Sequence, residues 1–171
     1  GTGRSSPRPR GQAGSPASIA ATGFSLAAFA IADSHGWLPQ GYAARYIRKT
    51  LRVLLRSTEH KEGFFYHFID RQSGKRVWGS EASSIDTALL LAGALLASQY
   101  YPGTAIERMT QQIYARINWA WMQNESALIC MGWKPESGFL PYYWDAYNEL
   151  IILQALAIGA SHNPVSPAAW Q

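Results

Sequence analysis

The hydrophobic residues of this chain form runs that are apolar on every side and stretches that carry only an apolar stripe. The runs 18–32 and 88–97 are mostly Ala, Leu, Ile and Phe. A helix that is apolar all round is buried, so we expect two central helices. Ser83 and Asp86 precede the second run with the spacing of an N-cap and a capping box, with Asp replacing the usual Glu. We therefore expect a buried helix that begins near these residues and has an acid at its end.

Three further helices are predicted from the same pattern. Ser15 or Ser18 can cap the first run, and Gly36 fits the position after its last turn. Amphipathic helices are expected over 40–57 and 103–122, and an apolar helix capped by Asp145 over 148–160. One face of helix 40–57 is basic. It fits an anion-binding patch, although a solvated surface is the more common reason for such a face.

The alternation of these helices predicts the fold class. Apolar helices begin near residues 18, 84 and 146, about 60 residues apart, and an amphipathic helix follows each of the first two. Buried and half-buried helices in turn build an inner and an outer layer. We expect an all-α fold, an open α/α-toroid or α-solenoid, with a β-hairpin over 63–78 and an extended segment at 127–133 as short insertions.

Composition and charge narrow the class of protein. Residues 1–17 are rich in Pro, Gly and Ser, so we expect a disordered leader followed by one domain over 18–171. Arg4, Arg8 and Arg10 supply three of the net charge of +4, which leaves no broad basic surface for nucleic acid. The apolar runs are too short to span a bilayer. Because the sequence has no initiator Met and starts within the expected leader, it is expected to be part of a longer protein.

Three long strings carry a resemblance to a known family: SPASIAATGFSLAAFAIADSHGW (15–37), GFFYHFIDRQSGKRVWGSEASSIDTALLLAGALLASQYY (63–101) and MGWKPESGFLPYYWDAYNELIILQALAIGASHNPVSP (131–167). They resemble the glucoamylase-like domain, which is related to endo-β-1,2-glucanases and to the chain-cyclising domain of cyclic β-1,2-glucan synthases. The resemblance implies a partial (α/α)6 toroid with a carbohydrate cleft at one end of the inner helices. It covers the N-terminal half of such a domain, so the missing C-terminal half is an expected partner.

This resemblance implies a carbohydrate-active protein whose other partner is an oligo- or polysaccharide. The first hypothesis is a glycoside hydrolase acting on β-1,2-glucan or a related β-glucan by carboxylate chemistry. The alternatives are a transglycosylating, cyclising domain, a non-catalytic glucan-binding module and a protein-binding helical solenoid. No cofactor is expected. A stand-alone glucanase would be periplasmic and a synthase domain membrane-associated, and the compartment stays open.

Glycoside hydrolysis requires one protonated and one ionised carboxyl group on either side of the scissile bond. Five acids cluster near the predicted ends of the inner helices: Glu81, Asp86, Glu136, Asp145 and Glu149. By resemblance, Asp86 and Glu149 fall where the glucanases carry acids important for activity. Asp145 and Glu149 are four residues apart and would share a helix face. Structural roles compete: Asp86 and Asp145 as caps, Glu81 and Glu136 as partners of arginines.

Aromatic residues crowd the same loops and suit the apolar faces of sugar rings. The candidates for substrate binding are Trp78, Trp133, Tyr142, Tyr143 and Trp144. Core packing is the competing role for each of them. His35 and His67 are interpreted as structural or surface residues, and the four histidines lack the spacing of metal ligands, so no metal site is predicted.

Overall fold

Five α-helices build most of the computed structural model, which describes residues 15–146 and 148–170. The helices are α1 (Ile19–Ser34), α2 (Tyr42–Arg56), α3 (Ser84–Tyr100), α4 (Ala105–Ala115) and α5 (Leu150–Ile158). Single 3-10 turns lie at Ala120–Gln123 and Pro167–Ala169. The strands are β1 (Pro16–Ser18), β2 (His60–Lys61), β3 (Phe64–Phe65), β4 (Phe68–Asp70), β5 (Ala82–Ser83), β6 (Gly132–Lys134) and β7 (Gly138–Phe139).

The predicted caps determine where the two apolar helices begin and end. The Ser18 hydroxyl accepts a hydrogen bond from the Ala21 N–H (3.3 Å), and the Ser83 hydroxyl accepts one from the Asp86 N–H (3.2 Å). After α1, Gly36 adopts a φ of +67°, the left-handed conformation that favours glycine at a helix end. The sequence therefore predicted both N-termini correctly.

Helices α1 and α3 run parallel and touch backbone to backbone. At one end, the Ile19 N–H donates to the carbonyl of His67, and the Phe65 N–H donates to the Thr87 hydroxyl. At the other end, the Tyr101 hydroxyl donates to Asp33 (2.6 Å). Gly23 and Gly93 form the contact between the helices, and a Cβ on Gly93 would lie 1.9 Å from the Gly23 carbonyl oxygen.

Burial differs between these two helices. Most of the α3 side chains are buried, although Leu96 is 44% exposed, so the expected burial on every side holds only in part. The same expectation is wrong for α1, since Phe24 is 62% exposed and Ile31 is 45% exposed. The described residues cover only the side of α1 that carries Leu26 and Ala30, because α2 and α3 pack there.

Helices α2 and α4 pack on the outside and run opposite to α1 and α3. Tyr46 of α2 hydrogen-bonds Ser25 of α1 (3.0 Å), and Thr110 of α4 donates to the Ala94 carbonyl of α3 (3.5 Å). The Arg116 guanidinium joins the two outer helices, because it donates to the last carbonyl groups of α2 at 3.1 and 3.2 Å. Burial lowers the pKa of Arg116 to about 10.

Three small sheets gather beside the N-terminal ends of α1 and α3, so the all-α prediction holds only for the helical framework. The sheet orders are β1-β4, β2-β3 and β5-β6-β7, all antiparallel. The predicted hairpin over 63–78 keeps its turn, where the Gly74 N–H donates to the Asp70 carbonyl (2.8 Å). Its strand β4 pairs with β1 and also meets the returning chain at the bridge Ile69–Arg76, where the Asp70 N–H donates to the Lys75 carbonyl (2.7 Å). Residues 16 and 17 of the expected leader thus belong to a strand, while residues 1–14 lie outside the described part.

The helices that follow α3 are shorter than predicted. Helix α4 ends at Ala115, and the chain turns so that Asn118 can accept the Trp121 N–H (3.2 Å). The tail after α5 packs against the domain through the buried Val165 and Ala169, and the Ala169 carbonyl accepts a hydrogen bond from the Gln154 side chain (2.6 Å). Among the described residues, no helix is long and apolar enough to cross a membrane.

We expect Gly93→Ala to destabilise the protein by about 1 to 3 kcal/mol, because its methyl group would overlap the α1 backbone. An ordinary helical Gly→Ala change stabilises by up to about 1 kcal/mol. Urea unfolding followed by circular dichroism measures the difference. Gln99→Ala on the exposed side of α3 is the control and should change the free energy of unfolding by less than about 0.5 kcal/mol. An unchanged or raised midpoint for Gly93→Ala would show that the two helices do not touch.

Candidate active site

Three ionisable side chains meet at the N-terminal end of α3, and we call them the acid cluster: His67, Glu81 and Asp86. His67 Nδ1 lies 3.3 Å from Glu81 Oε1, and His67 Nε2 lies 3.6 Å from Asp86 Oδ1. The imidazole therefore stands between two carboxyl groups and presents one nitrogen to each. Glu81 and Asp86 are sequence-predicted candidates, and the structure brings these two together.

Asp86 is the buried member of the acid cluster. It occupies the first turn of α3, where the Ser83 hydroxyl donates to its Oδ2 (2.5 Å). Burial raises the pKa of Asp86 above its usual value, and the nearby Glu81 raises it further. The Ser83 hydrogen bond and the charge of His67 act in the opposite direction and are weaker than the burial. Asp86 is therefore held by the hydroxyl of the predicted capping serine and not by its backbone N–H, as a capping box would require, and it holds its proton to higher pH than a free Asp.

Backbone pairing places the other two members. The His67 N–H donates to the Glu81 carbonyl (2.9 Å), so the loop before β4 and the residue before β5 are held side by side. The Phe68 ring stacks on the imidazole at 4.0 Å. Gly132 on the neighbouring strand lies against the Glu81 side chain, and a Cβ there would lie 2.7 Å from Glu81 Cγ. Both side chains are thus fixed by the small sheets.

Sequence reasoning missed His67, which it interpreted as a structural or surface residue. The pairing that brings His67 beside Glu81 joins residues 14 positions apart through a loop that no local pattern specifies. An available signal was the string Phe64 to Ile69, a buried aromatic strand segment interrupted by a single histidine.

Glu136 is engaged elsewhere. Its carboxylate is exposed and accepts two hydrogen bonds from the Arg76 guanidinium, the second at 2.9 Å. These hydrogen bonds hold the pKa of Glu136 below its usual range. The arginine pairing that competed with a catalytic role for this residue is therefore present in the structure, and a carboxyl group held in this way is unsuited to donating a proton.

Asp145 and Glu149 are not placed as predicted. Helix α5 begins at Leu150, so the two acids do not share a helix face, and Asp145 does not cap the helix. Asn148 takes the capping role instead, because its side-chain oxygen accepts the Leu150 N–H (2.9 Å). Both acids are exposed. Asp145 borders a shallow cavity of about 230 Å³ at the start of α5, which no member of the acid cluster lines.

Trp78 is the exposed aromatic residue next to the acid cluster. Its side chain is 66% exposed, and its ring lies 5.0 Å from Phe68, which in turn stacks on His67. The backbone of Trp78 has a φ of +56°, which is uncommon for a bulky residue. An exposed indole that the Phe68 ring separates from His67 is a surface on which a sugar ring can lie.

The other aromatic candidates divide into two groups. Trp144 and Trp133 are half-buried: the Trp144 indole donates to the Ser84 hydroxyl at the start of α3 (3.0 Å), and Trp133 carries Lys61 over its ring at 5.3 Å. The backbone of Tyr143 forms an isolated β-bridge with Cys130, and its hydroxyl accepts a hydrogen bond from the Asn124 side chain (3.3 Å). Tyr142 is mostly exposed. Packing thus accounts for part of what the sequence assigned to sugar binding.

The acid cluster is also the group of side chains, among the described residues, whose ligand atoms are close enough together to hold a metal ion. The sequence predicted no such group. The imidazole instead presents a different nitrogen to each carboxyl group, with a hydrogen bond to Glu81 (3.3 Å) and an ion-pair contact with Asp86 (3.6 Å). A coordination sphere would turn one imidazole nitrogen and both carboxylates toward a common point.

The raised pKa of Asp86 predicts a pH-dependent stability. Below the usual Asp pKa the group is protonated in the folded and the unfolded chain. As the pH rises through the folded pKa, ionisation penalises only the folded state, so this contribution is lost. Asp86→Asn cannot ionise, and its melting temperature relative to the wild type should therefore increase from about pH 3 to pH 7. Glu125→Gln, at an exposed position, is the control. Parallel curves for wild type and Asp86→Asn would contradict the assignment.

This chain is similar to known proteins in its three-dimensional structure. No protein-family model matches the chain, and no curated protein sequence does. A β-1,2-glucanase from Parabacteroides distasonis has a TM-score of 0.82 at 22% identity over 91% of this chain and 24% of its own. An endo-β-1,2-glucanase from Chitinophaga pinensis, in complex with sophorotriose and glucose, has a TM-score of 0.82 at 17% identity over 91% of this chain and 39% of its own.

A provisionally assigned glucoamylase from Bacteroides uniformis has a TM-score of 0.83 at 20% identity, over 91% of this chain and 40% of its own. The chain thus spans well under half the length of each of these proteins. At such identities the likeness is one of fold. The resemblance noted in the sequence is confirmed at that level: this chain has the fold of the corresponding part of glucoamylase-like proteins and endo-β-1,2-glucanases.

Proposed function

We propose that this chain forms part of a glycoside hydrolase domain that acts on β-1,2-glucan or a related β-glucan, with Asp86 as the proton donor. The observation that carries the proposal is the buried Asp86 carboxyl, whose pKa is raised and which shares an imidazole with Glu81. A protonated acid beside an ionised one is what glycosidic bond cleavage requires. The named substrate of two structural neighbours supports the choice of glucan.

The complete domain is proposed to be an (α/α)6 toroid. Parallel helices α1 and α3, with α2 and α4 running the opposite way outside them, are two turns of such an alternation. Exposed apolar side chains on α1 and α5, among them Phe24, Ile31 and Ile151, offer surfaces for further helices of the same domain. The greater length of the neighbours supports this expectation.

The proposed chemistry uses the acid cluster in the following way. The Asp86 carboxyl donates its proton to the glycosidic oxygen as the bond to the anomeric carbon breaks, and the leaving sugar departs as an alcohol. Ser83 fixes one carboxyl oxygen, so the other, Oδ1, is oriented toward the side where His67 lies. The resulting Asp86 carboxylate is compensated by His67, whose imidazole faces it.

A second carboxylate must act on the anomeric carbon, either as a base for water or as a nucleophile. Glu81 is favoured by its position beside the same imidazole. Glu149 is favoured by the resemblance of its sequence string. Its side chain is exposed just before the start of α5. Trp78 is proposed to support a sugar ring next to this pair, with Trp133, Tyr142, Tyr143 and Trp144 around it.

Two other functions remain candidates on specific grounds. A transglycosylase would use the same acids and differ in whether a sugar hydroxyl replaces water as the acceptor. A non-catalytic glucan-binding module would use Trp78 and need no proton donor. The buried, raised-pKa carboxyl favours catalysis over binding alone, since burying an acid in a binding module carries a penalty and brings no benefit.

Activity measurements on a polypeptide that carries the complete domain test the acids. With linear β-1,2-glucan as substrate, Asp86→Asn should lower kcat by about 10² to 10⁴. Glu81→Gln and Glu149→Gln should differ in their effect on kcat. The one that replaces the second catalytic carboxylate should lower kcat about as much as Asp86→Asn does. Glu136→Gln is the matched control, because its carboxylate is committed to Arg76. Ring products would identify the transglycosylase. Full activity in Asp86→Asn would rule out Asp86 as the proton donor, and absence of any activity in the unsubstituted complete domain would rule out both catalytic functions.

Binding measurements on the chain itself test the sugar surface. We expect Trp78→Ala to weaken binding of a β-1,2-linked glucose oligomer about tenfold, because it removes the exposed aromatic face. Isothermal titration calorimetry measures the dissociation constant. Trp170→Ala, an exposed tryptophan at the cavity beside α5, is the matched control and should leave it unchanged. Equal effects of the two substitutions would remove the special role of Trp78.

A further inference from the structure

Helix α2 carries a concentrated line of positive charge on its outer face, and we call these residues the basic stripe: Arg45, Arg48, Lys49, Arg52 and Arg56. The helix contains no acid. At about 100° per residue, the five positions fall within an arc of about 100°, opposite the buried Ile47 and Leu51. At 1.5 Å per residue the stripe is about 16 Å long. All five residues are exposed.

The charge of the basic stripe is not neutralised by the part of the chain that the structure describes. The ion pairs found there involve Lys61, His67 and Arg76. No side chain of the stripe takes part in one. Five like charges on one helix repel one another. Binding of anions to this surface relieves the repulsion and is therefore favourable.

Two exposed aromatic residues precede the basic stripe in the sequence. Trp37, in the loop before α2, is 72% exposed, and Tyr42 in the first turn of α2 is also exposed. Tyr42, Arg45, Tyr46 and Lys49 line a shallow hollow of about 220 Å³ on the outer face of the helix. Arg45 and Lys49 thus flank an open hollow whose walls are mostly apolar, beside the exposed Tyr42 ring.

We propose that the basic stripe and Trp37 form a docking surface for an anionic phospholipid bilayer, on which α2 lies flat against the headgroups. Indole and phenol rings prefer the headgroup region of a bilayer, and clustered Lys and Arg residues are attracted to anionic lipid. The apolar side of α2 is buried against the rest of the domain, so contact stays at headgroup depth. Nucleic acid is the less favoured occupant, because the aromatic residues sit at one end and offer no series of stacking platforms.

Vesicle co-sedimentation tests the proposal on the full chain, with Arg4, Arg8 and Arg10 changed to Gln so that the N-terminal segment cannot supply the binding. We expect binding to phosphatidylcholine vesicles that contain one third phosphatidylglycerol, and loss of binding at high salt or without the anionic lipid. Arg48→Gln/Arg52→Gln should lower the partition coefficient more than tenfold, since each cation contributes roughly fivefold. Trp37→Ala should weaken vesicle binding at constant charge.

The matched control is Lys75→Gln/Arg108→Gln, which removes the same net charge from exposed positions outside the stripe. It should retain most of the binding. The proposal is overturned if the parent chain fails to bind anionic vesicles at low salt, or if both double variants lose binding equally. It is also overturned if the chain binds double-stranded DNA or polyglutamate more tightly than vesicles of equal charge. None of these results depends on glycosidase activity, so the proposed function can fail independently.

Discussion

The structure depends on the close contact between α1 and α3. Gly23 and Gly93 leave no side chain between the two helices, so their backbones touch and their N-termini lie at one end of the molecule. The main chain around His67 is held between those ends, because His67 accepts from Ile19 and donates to Glu81. A wider spacing of the helices would separate the groups that form the acid cluster. The geometry of the site is thus a consequence of helix packing in the core.

Opposing electrostatic effects act on the Asp86 carboxyl. The positive end of the α3 dipole and the Ser83 hydroxyl favour its ionised form. Burial and the second acid favour the protonated form and prevail, so the pKa is raised. Glu136 shows the opposite balance, because it is exposed and paired with Arg76. Two carboxyl groups of similar chemistry therefore differ in their readiness to hold a proton, and the difference arises from their surroundings.

The sequence predicted the features that depend on residues close together in the chain. The Ser18 and Ser83 caps, the buried α3 and the amphipathic α2 follow from residue spacing within one element. The pairing of β4 with β1 could not be predicted, because it joins distant segments whose edges have no local signal. Which of the predicted acids lie close together also depends on the fold. The structure brings the candidates Glu81 and Asp86 together around His67. Asp145, which was expected to cap the last helix, lies five residues before that helix begins at Leu150.

One consequence concerns the unusual backbone of Trp78. Its positive φ is a conformation that bulky residues avoid, so the turn between Val77 and Ser80, where the Ser80 N–H donates to the Val77 carbonyl, must hold it in place. The indole is consequently set in its outward direction when the protein folds. The constraint on the Trp78 backbone thus keeps an aromatic face at the protein surface in the absence of any bound molecule.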